Sequence, residues 1–336
     1  MGVGMATHLT ATGPRVSVLL VVRNAAAWVG EAVESLLTQG FGDFELLIYD
    51  DGSTDASPEA LERVAGRDPR VRLHREEARG LTVWLRRGVE EARGDLIARM
   101  DADDVCHPER LERQVAFLDA HPECVALGSD ALLVDPECRP IRRLGVRLRH
   151  EEIEAELLGG RGDALLHPAS MFRRADALAV GSYRTRFRVS QCLDLFLRLG
   201  ERGRLANLPE PLLRYRQHPD KVSGARKGEQ RRSQDAILRE AYERRGLPLD
   251  SLPCRPPVPE SVPLADSWHR WASWAVDAGH LGTARHYAWR LLCREPLALR
   301  SWKLSLRALS GLHLETARRP GALLRKLRSP RDLLVS

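Results

Sequence analysis

The sequence predicts an α/β fold in which a mainly parallel central sheet is flanked by helices and followed by a C-terminal α-helical extension. Residues 14–22 and 44–49 are apolar runs typical of strands buried on both faces, and residues 25–39 between them have the pattern of a helix. Strand, helix and strand in this order form a parallel unit. A third apolar run, at 95–98, is followed like the second by a cluster of acids.

Both acidic clusters, at 50–55 and 101–104, come directly after predicted strands. Ligands of open α/β sheets bind at the carboxyl ends of the strands, so we expect the two clusters to open onto one crevice. Carboxylate oxygens there suit a hard cation such as Mg²⁺ or Mn²⁺, which bridges them to a diphosphate. The alternative is a solvated turn or a helix cap, and capping of the helix predicted at 59–65 accounts for part of the first cluster.

Six ordered segments resemble the inverting family 2 glycosyltransferases, which have the GT-A fold. They are Phe44–Asp55, Ala92–Asp104, and residues 16–24, 108–114, 167–173 and 208–216. The resemblance covers about residues 14–225. It implies a nucleotide-diphosphate sugar donor and a carbohydrate or lipid-linked acceptor.

The resemblance assigns a donor site to the first half of this segment. Asp51 matches the acid that hydrogen-bonds the donor base, and the turn after Val22, which contains Asn24, closes over the same base. Asp50 and Ser53 belong to the same donor-binding set.

The same resemblance assigns the metal and part of the acceptor site. Asp103 matches the acid that coordinates Mn²⁺ or Mg²⁺, and Asp101 lies beside it toward the sugar and ribose. His167 matches a polar position that faces the acceptor and the donor phosphates. The alternative for His167 is a hydrogen-bonded loop histidine with no catalytic part.

The general base is the point at which the sequence departs from this family. Displacement with inversion needs a carboxylate that takes the proton of the acceptor hydroxyl. In this register Cys192 occupies the base position and Asp194 aligns with a second acid that is usually structural. A thiol with a pKa of about 8.5 is mostly protonated at neutral pH. Three readings stay open: Asp194 acts as the base, the enzyme is slow, or the protein binds donor without turnover.

The length of the chain allows one large domain and a smaller unit, and the extent of the resemblance gives the limits of the first. We expect a disordered start at 1–13, a GT-A domain at 14–225, a helix and Pro-rich linker at 226–260, and a basic helical region at 261–336. The chain contains no apolar run long enough to span a membrane. Its six cysteines show no C-x-x-C spacing, which argues against a zinc site and fits a reducing cytoplasm.

The C-terminal region is expected to form three helices, near 264–278, 282–294 and 297–309. Trp268, Trp271 and Trp274 recur every three residues, which favours one apolar face in a core over a ligand site. From Arg285 onward there are twelve Lys/Arg against three acids, a balance of +9 against +6 for the whole chain. This charge predicts peripheral contact with anionic lipid at the inner face of the membrane. The alternative is a solvated helical face, and nucleic-acid binding is not expected.

We therefore predict a cytoplasmic, metal-dependent inverting glycosyltransferase that moves a hexose-like sugar to an acceptor hydroxyl of a glycan or of a lipid-linked or cell-envelope polysaccharide precursor. The alternative is a catalytically impaired nucleotide-sugar-binding or scaffold protein whose helical tail holds a partner. A nucleotidyltransferase of similar fold is disfavoured, because Arg23-Asn24 stands where its glycine-rich basic loop would follow the first strand.

Overall fold

The computed structural model describes residues 13–218, 227–253 and 263–311. A nine-stranded sheet runs through the first of these ranges, in the order β3-β2-β1-β4-β8-β6-β9-β5, with β7 paired to β6. Its strands are β1 (Val16–Val22), β2 (Phe44–Asp51), β3 (Val71–Glu76), β4 (Leu96–Asp101), β5 (Val105–Cys106), β6 (Cys124–Val134), β7 (Pro140–Arg143), β8 (Met171–Arg173) and β9 (Arg204–Arg216).

Four neighbouring strands, β3, β2, β1 and β4, are parallel, as the sequence predicts. Strands β1 and β2 are buried on both faces, which explains their long apolar runs, Val18–Val22 in β1 and Leu46–Tyr49 in β2. Ser17 is the polar exception in β1, and its hydroxyl donates to Glu45 Oε1 at 2.7 Å. The other half of the sheet is mixed, with β8 antiparallel to both β4 and β6 and with β9 parallel to β6.

The sheet is flanked by helices, which confirms the α/β class with its C-terminal helices. They are α1 (Val29–Leu37), α2 (Ser57–Ala65), α3 (Leu81–Glu91), α4 (Arg110–Ala120), α5 (His150–Leu158), α6 (Arg174–Ala179), α7 (Gln191–Gly200), α8 (Lys227–Arg244), α9 (Leu264–Asp277), α10 (Leu281–Arg294) and α11 (Leu299–Ser310). None of the helices in the described part of the chain combines the length and the hydropathy that a membrane-spanning segment requires.

The predicted start of α1 at residue 25 is wrong, because the helix begins at Val29. The amides of the preceding residues are taken by side chains of the 53–57 loop: Ala25 N donates to Ser57 Oγ at 2.9 Å, and Ala26 N donates to Asp55 Oδ2 at 3.0 Å. These contacts hold the chain in a turn before the helix, and they depend on residues about 30 positions away in sequence.

Helices α9, α10 and α11 pack on the β6–β7 hairpin. Leu133 and Ile141 of the hairpin form one apolar cluster with side chains that include Trp271, Tyr287 and Leu304. Tyr287 Oη also donates to Asp135 Oδ2 at 2.9 Å, and both side chains are buried. The tryptophan spacing therefore serves packing.

Several predictions fall on segments outside the described residues. These are the disordered start up to residue 12, the junction at 219–226 between the regions predicted at 14–225 and 226–260, the Pro-rich linker at 254–262, and the basic end at 312–336. The domain limits at 225 and 260 stay predictions.

Candidate functional site

Three carboxylates meet where β4 ends. One oxygen from each of Asp101, Asp103 and Asp104 lies within 4.8 Å of the others. Asp101 and Asp103 are partly exposed, whereas Asp104 is buried. Oxygen ligands at this spacing, two of them reachable from solvent, can hold Mg²⁺ or Mn²⁺, so the residues fit such an ion.

His218 joins this cluster and was not predicted from the sequence. Its Nε2 lies 2.9 Å from Asp103 Oδ2, and its ring lies against Trp28 with centroids 4.4 Å apart. The side chain is only 8% exposed, and among the described residues Nδ1 has no hydrogen-bond partner. Imidazole is a common metal ligand, so His218 adds a nitrogen beside the carboxylate oxygens. His218 lies two residues after the segment 208–216, which resembles the family, and this closeness was the only indication in the sequence that it belongs to the site.

Arg216 fixes the loop that carries the acids. Its backbone N donates to Asp104 Oδ1 at 2.9 Å, and its Nε donates to the carbonyl of Asp103 at 2.6 Å. The same guanidinium reaches Glu31 Oε2 at 2.6 Å and the carbonyl of Pro136. Because the Arg216 side chain is 2% exposed, these contacts hold the acid loop against β9 with little freedom.

The predicted donor acids Asp50 and Asp51 are the last two residues of β2. A cleft of about 540 Å³ lies beside them, and its lining includes Asp50 and Ser53. Asp51 is 2% exposed. Its Oδ1 accepts hydrogen bonds from Arg79 N at 2.6 Å, Gly80 N at 2.9 Å and Trp84 Nε1 at 2.7 Å. Asp51 therefore shapes the loop before α3, and direct contact with a nucleobase stays a prediction.

The turn after Val22 reaches the same cleft edge. Asn24 has a φ of 50°, a left-handed conformation that its short amide side chain tolerates. Its N donates to Ser53 Oγ at 3.0 Å, and its Oδ1 accepts from Thr54 N at 2.8 Å. The structure thus brings the predicted donor residues of β1 and β2 together at one end of the sheet.

A second group of side chains surrounds the buried Arg99, which pairs with Asp101. His167 Nε2 lies 2.8 Å from Tyr183 Oη. Burial, and then the positive charge of Arg99, hold the pKa of His167 well below its ordinary value, so the ring is neutral. Burial also raises the pKa of the Cys192 thiol to about 11, so the thiol is protonated at neutral pH.

Asp194 has a different setting from the one a general base needs. Its side chain is 1% exposed and forms ion pairs with Arg184 and Arg198, the second at 2.6 Å. Arg198 in turn donates to the carbonyl oxygens of Val180 and Ser182. This geometry argues against the expectation that Asp194 takes the proton of an acceptor, and favours its structural role.

The fold is that of the GT-A glycosyltransferases. S. aureus TarS 1–349 in complex with UDP-GlcNAc superposes with a TM-score of 0.55 at 16% identity, covering 88% of this chain and 89% of that one. A mannosyltransferase from Pyrobaculum calidifontis in complex with GDP-Man and Mn²⁺ gives a TM-score of 0.51 at 19% identity, with coverage of 89% and 86%.

Sequence relatives give the family. Residues 17–176 match the model of glycosyl transferase family 2. The putative glycosyltransferase EpsE of Bacillus subtilis is 32% identical over 214 residues, which cover 62% of this chain and 75% of that protein. The amylovoran biosynthesis glycosyltransferase AmsE of Erwinia amylovora is 30% identical over 198 residues, with coverage of 58% and 73%. The chain belongs to glycosyl transferase family 2 and is a glycosyltransferase.

Proposed function

We propose that this enzyme is a metal-dependent, inverting glycosyltransferase that moves a sugar from a nucleotide-diphosphate donor to an acceptor hydroxyl. The observation that carries the proposal is the meeting of three carboxylates and His218 where β4 ends, at the same edge of the sheet as the acids of β2. The structural neighbours with UDP-GlcNAc, or with GDP-Man and Mn²⁺, support this donor class. The relative AmsE is named for amylovoran biosynthesis, which supports a polysaccharide precursor as the acceptor. The excess of Lys and Arg from Arg285 onward supports a location at the inner face of the membrane.

Asp101, Asp103 and His218 would hold the cation. A divalent ion bound there would neutralise the charge that develops on the departing diphosphate. Arg216 keeps Asp103 in place through its backbone carbonyl, so the ligand does not need to be ordered when the donor binds. The side chains that line the cleft after β2 would orient the nucleotide beside that ion.

Proton removal is the step for which the chain is least equipped. Cys192 is a protonated thiol, Asp194 is held by two arginines, and neutral His167 already has its Nε2 engaged by Tyr183. These settings favour a slow enzyme among the three readings. They also favour the second candidate function, a protein that binds donor with impaired turnover.

The test is donor binding, with and without Mn²⁺, measured by thermal shift on the full chain with UDP-GlcNAc and GDP-Man. A ligand at 100 times its Kd stabilises the folded state by about 2.7 kcal/mol. We expect one donor to raise the Tm only with Mn²⁺, and Asp103→Ala to remove the rise. Asp43→Ala changes an exposed acid outside the cluster and is the matched control.

Donor hydrolysis and transfer measured on the same samples separate the two candidates. Turnover with metal supports the transferase, whereas binding without turnover supports the impaired protein. Metal-dependent binding that survives in Asp103→Ala would contradict the assignment of the metal site.

A further inference from the structure

The C-terminal helices expose an apolar surface that the catalytic fold does not use. Six of the nine large apolar side chains that the described residues leave exposed lie between 289 and 309. The exposed fraction is 67% for Trp289, 52% for Trp302 and 98% for Leu297. Such concentration marks an interaction surface, because scattered exposed apolar residues are ordinary and clustered ones are not.

Four of these side chains form one stripe on α11: Leu299, Trp302, Leu306 and Leu309. At about 100° per residue they fall within an arc of about 80°. The buried side of the helix, which includes Leu304, lies on the other side and packs against α9 and α10. The stripe therefore faces away from the three-helix unit.

A basic edge runs beside this stripe. Arg300, Lys303 and Arg307 occupy the adjoining arc of the same helix, by the same geometry. Arg300 and Arg307 form ion pairs with neighbouring acids. Among the described residues, the exposed Lys303 forms no ion pair, so its charge is available to an external partner. The α10 arginines Arg290 and Arg294 lie over the Trp268 ring, with their guanidinium carbons 4.7 and 5.9 Å from its centroid.

We propose that the α11 stripe, defined as Leu299, Trp302, Leu306 and Leu309, docks on an anionic lipid surface with its basic edge toward the phosphate headgroups. An apolar stripe beside cations is the arrangement of helices that lie in a membrane interface. Tryptophan suits this position, and Trp302 Nε1 donates to the carbonyl of Pro296 at 2.8 Å, which leaves its apolar face outward.

Charge decides against two other occupants. Residues 312–336 carry six Lys/Arg and two acids, so this part of the chain would bring like charge to the basic edge. A second copy of the chain would do the same. Anionic headgroups attract the basic edge, and the additional positive charge at 312–336 increases this attraction. The inference deepens the proposed location at the membrane, but lipid binding needs no sugar transfer, so the two can fail separately.

The experiment is flotation of the purified full chain with vesicles of phosphatidylcholine alone, or of phosphatidylcholine and phosphatidylglycerol in equal parts. We expect binding only to the anionic vesicles, and a fall as salt increases. The double variant Trp302→Gln, Leu306→Gln should lose at least about tenfold in vesicle affinity. Lys303→Glu should lose about fivefold or more. The control Leu178→Gln, Leu247→Gln changes exposed leucines elsewhere and should bind like the parent.

Other results overturn the proposal. Equal binding to both kinds of vesicle would show that charge has no part in docking. No binding by the parent, or unchanged binding by the Trp302/Leu306 double variant, would show that the α11 stripe is not a lipid-binding surface. A lower Tm of the double variant without lipid would show that the stripe is covered by the chain's own residues. A dimer in the parent that the double variant loses would identify a second copy as the occupant.

Discussion

Asp194→Asn tests whether the acid after the unusual cysteine is structural or catalytic. The substitution keeps the size of the side chain and removes its negative charge. Two arginines then lose their shared partner. Arg184 still has Glu240 at 2.8 Å, whereas Arg198, whose side chain is 7% exposed, keeps only backbone carbonyl oxygens as acceptors. The Nε of Arg198 already has no hydrogen-bond partner among the described residues.

The size of the effect follows from this burial. Removing one partner of a buried ion pair and leaving the other charged costs about 3–5 kcal/mol, because the remaining ion is neither hydrated nor compensated. For a chain of this size each kcal/mol shifts the Tm by about 2–4 °C, so we expect a fall of roughly 10 °C. The exposed pair of Asp266 and Arg300 provides a contrast, since such pairs contribute about 0–1 kcal/mol.

Urea denaturation of the parent, Asp194→Asn and Asp266→Asn measures the free energy of unfolding, and donor turnover is followed on the same preparations. The structural role predicts a large loss of stability in Asp194→Asn and almost none in Asp266→Asn. The reasoning would be refuted if Asp194→Asn unfolded at the urea concentration of the parent while turnover fell by a factor of about 10²–10⁴, the range of a lost general base.

Three further predictions concern the site. His218→Ala should weaken Mn²⁺ binding by at least about tenfold, because a ligand beside Asp103 is lost; isothermal titration with Mn²⁺ checks this, and unchanged affinity would exclude His218 as a ligand. Cys192→Asp should raise turnover, because an ionised carboxylate replaces a protonated thiol; no gain in a folded variant would show that the base lies elsewhere. His167 stays neutral in the folded protein and takes a proton when the protein unfolds, so the free energy of unfolding should fall by up to about 1.4 kcal/mol per pH unit below about pH 6.5. Urea titrations at pH 7 and pH 5 should show a smaller fall for His167→Gln than for the parent. An equal fall in both proteins would contradict the burial argument.

The parallel half of the sheet could be predicted because its signals are local. Each of β1, β2 and β4 contains an apolar run, and the acids begin in the last residues of β2 and β4. The order of strands then places both acidic clusters at one edge. A short stretch of sequence is therefore enough to predict each strand, because an uninterrupted apolar run indicates a strand that is buried on both faces.

Features that depend on distant residues could not be predicted. His218 meets Asp103 across 115 positions in sequence, and Arg216 meets Asp103 across 113. The start of α1 is set by side chains of the 53–57 loop. Asp194 is paired with Arg184 of a preceding loop and with Arg198 of the next turn of α7. A comparison of sequence segments does not reveal these ion pairs.

The adjacent residues Asp135 and Pro136 connect the helical extension to the acid loop. Asp135 accepts the hydroxyl of Tyr287, and the carbonyl of Pro136 accepts Arg216, which holds the backbone at Asp103. Two neighbouring residues, one through its carboxylate and the other through its carbonyl, thus connect the two parts of the protein. An enzyme shortened before α9 would retain every acid of the cluster, yet the turn that steadies Arg216 would lose its outer support. The helical extension therefore stabilises the loop that carries Asp103, in addition to presenting the exposed α11 stripe. Its removal should increase the mobility of that loop although no residue of the acid cluster is lost.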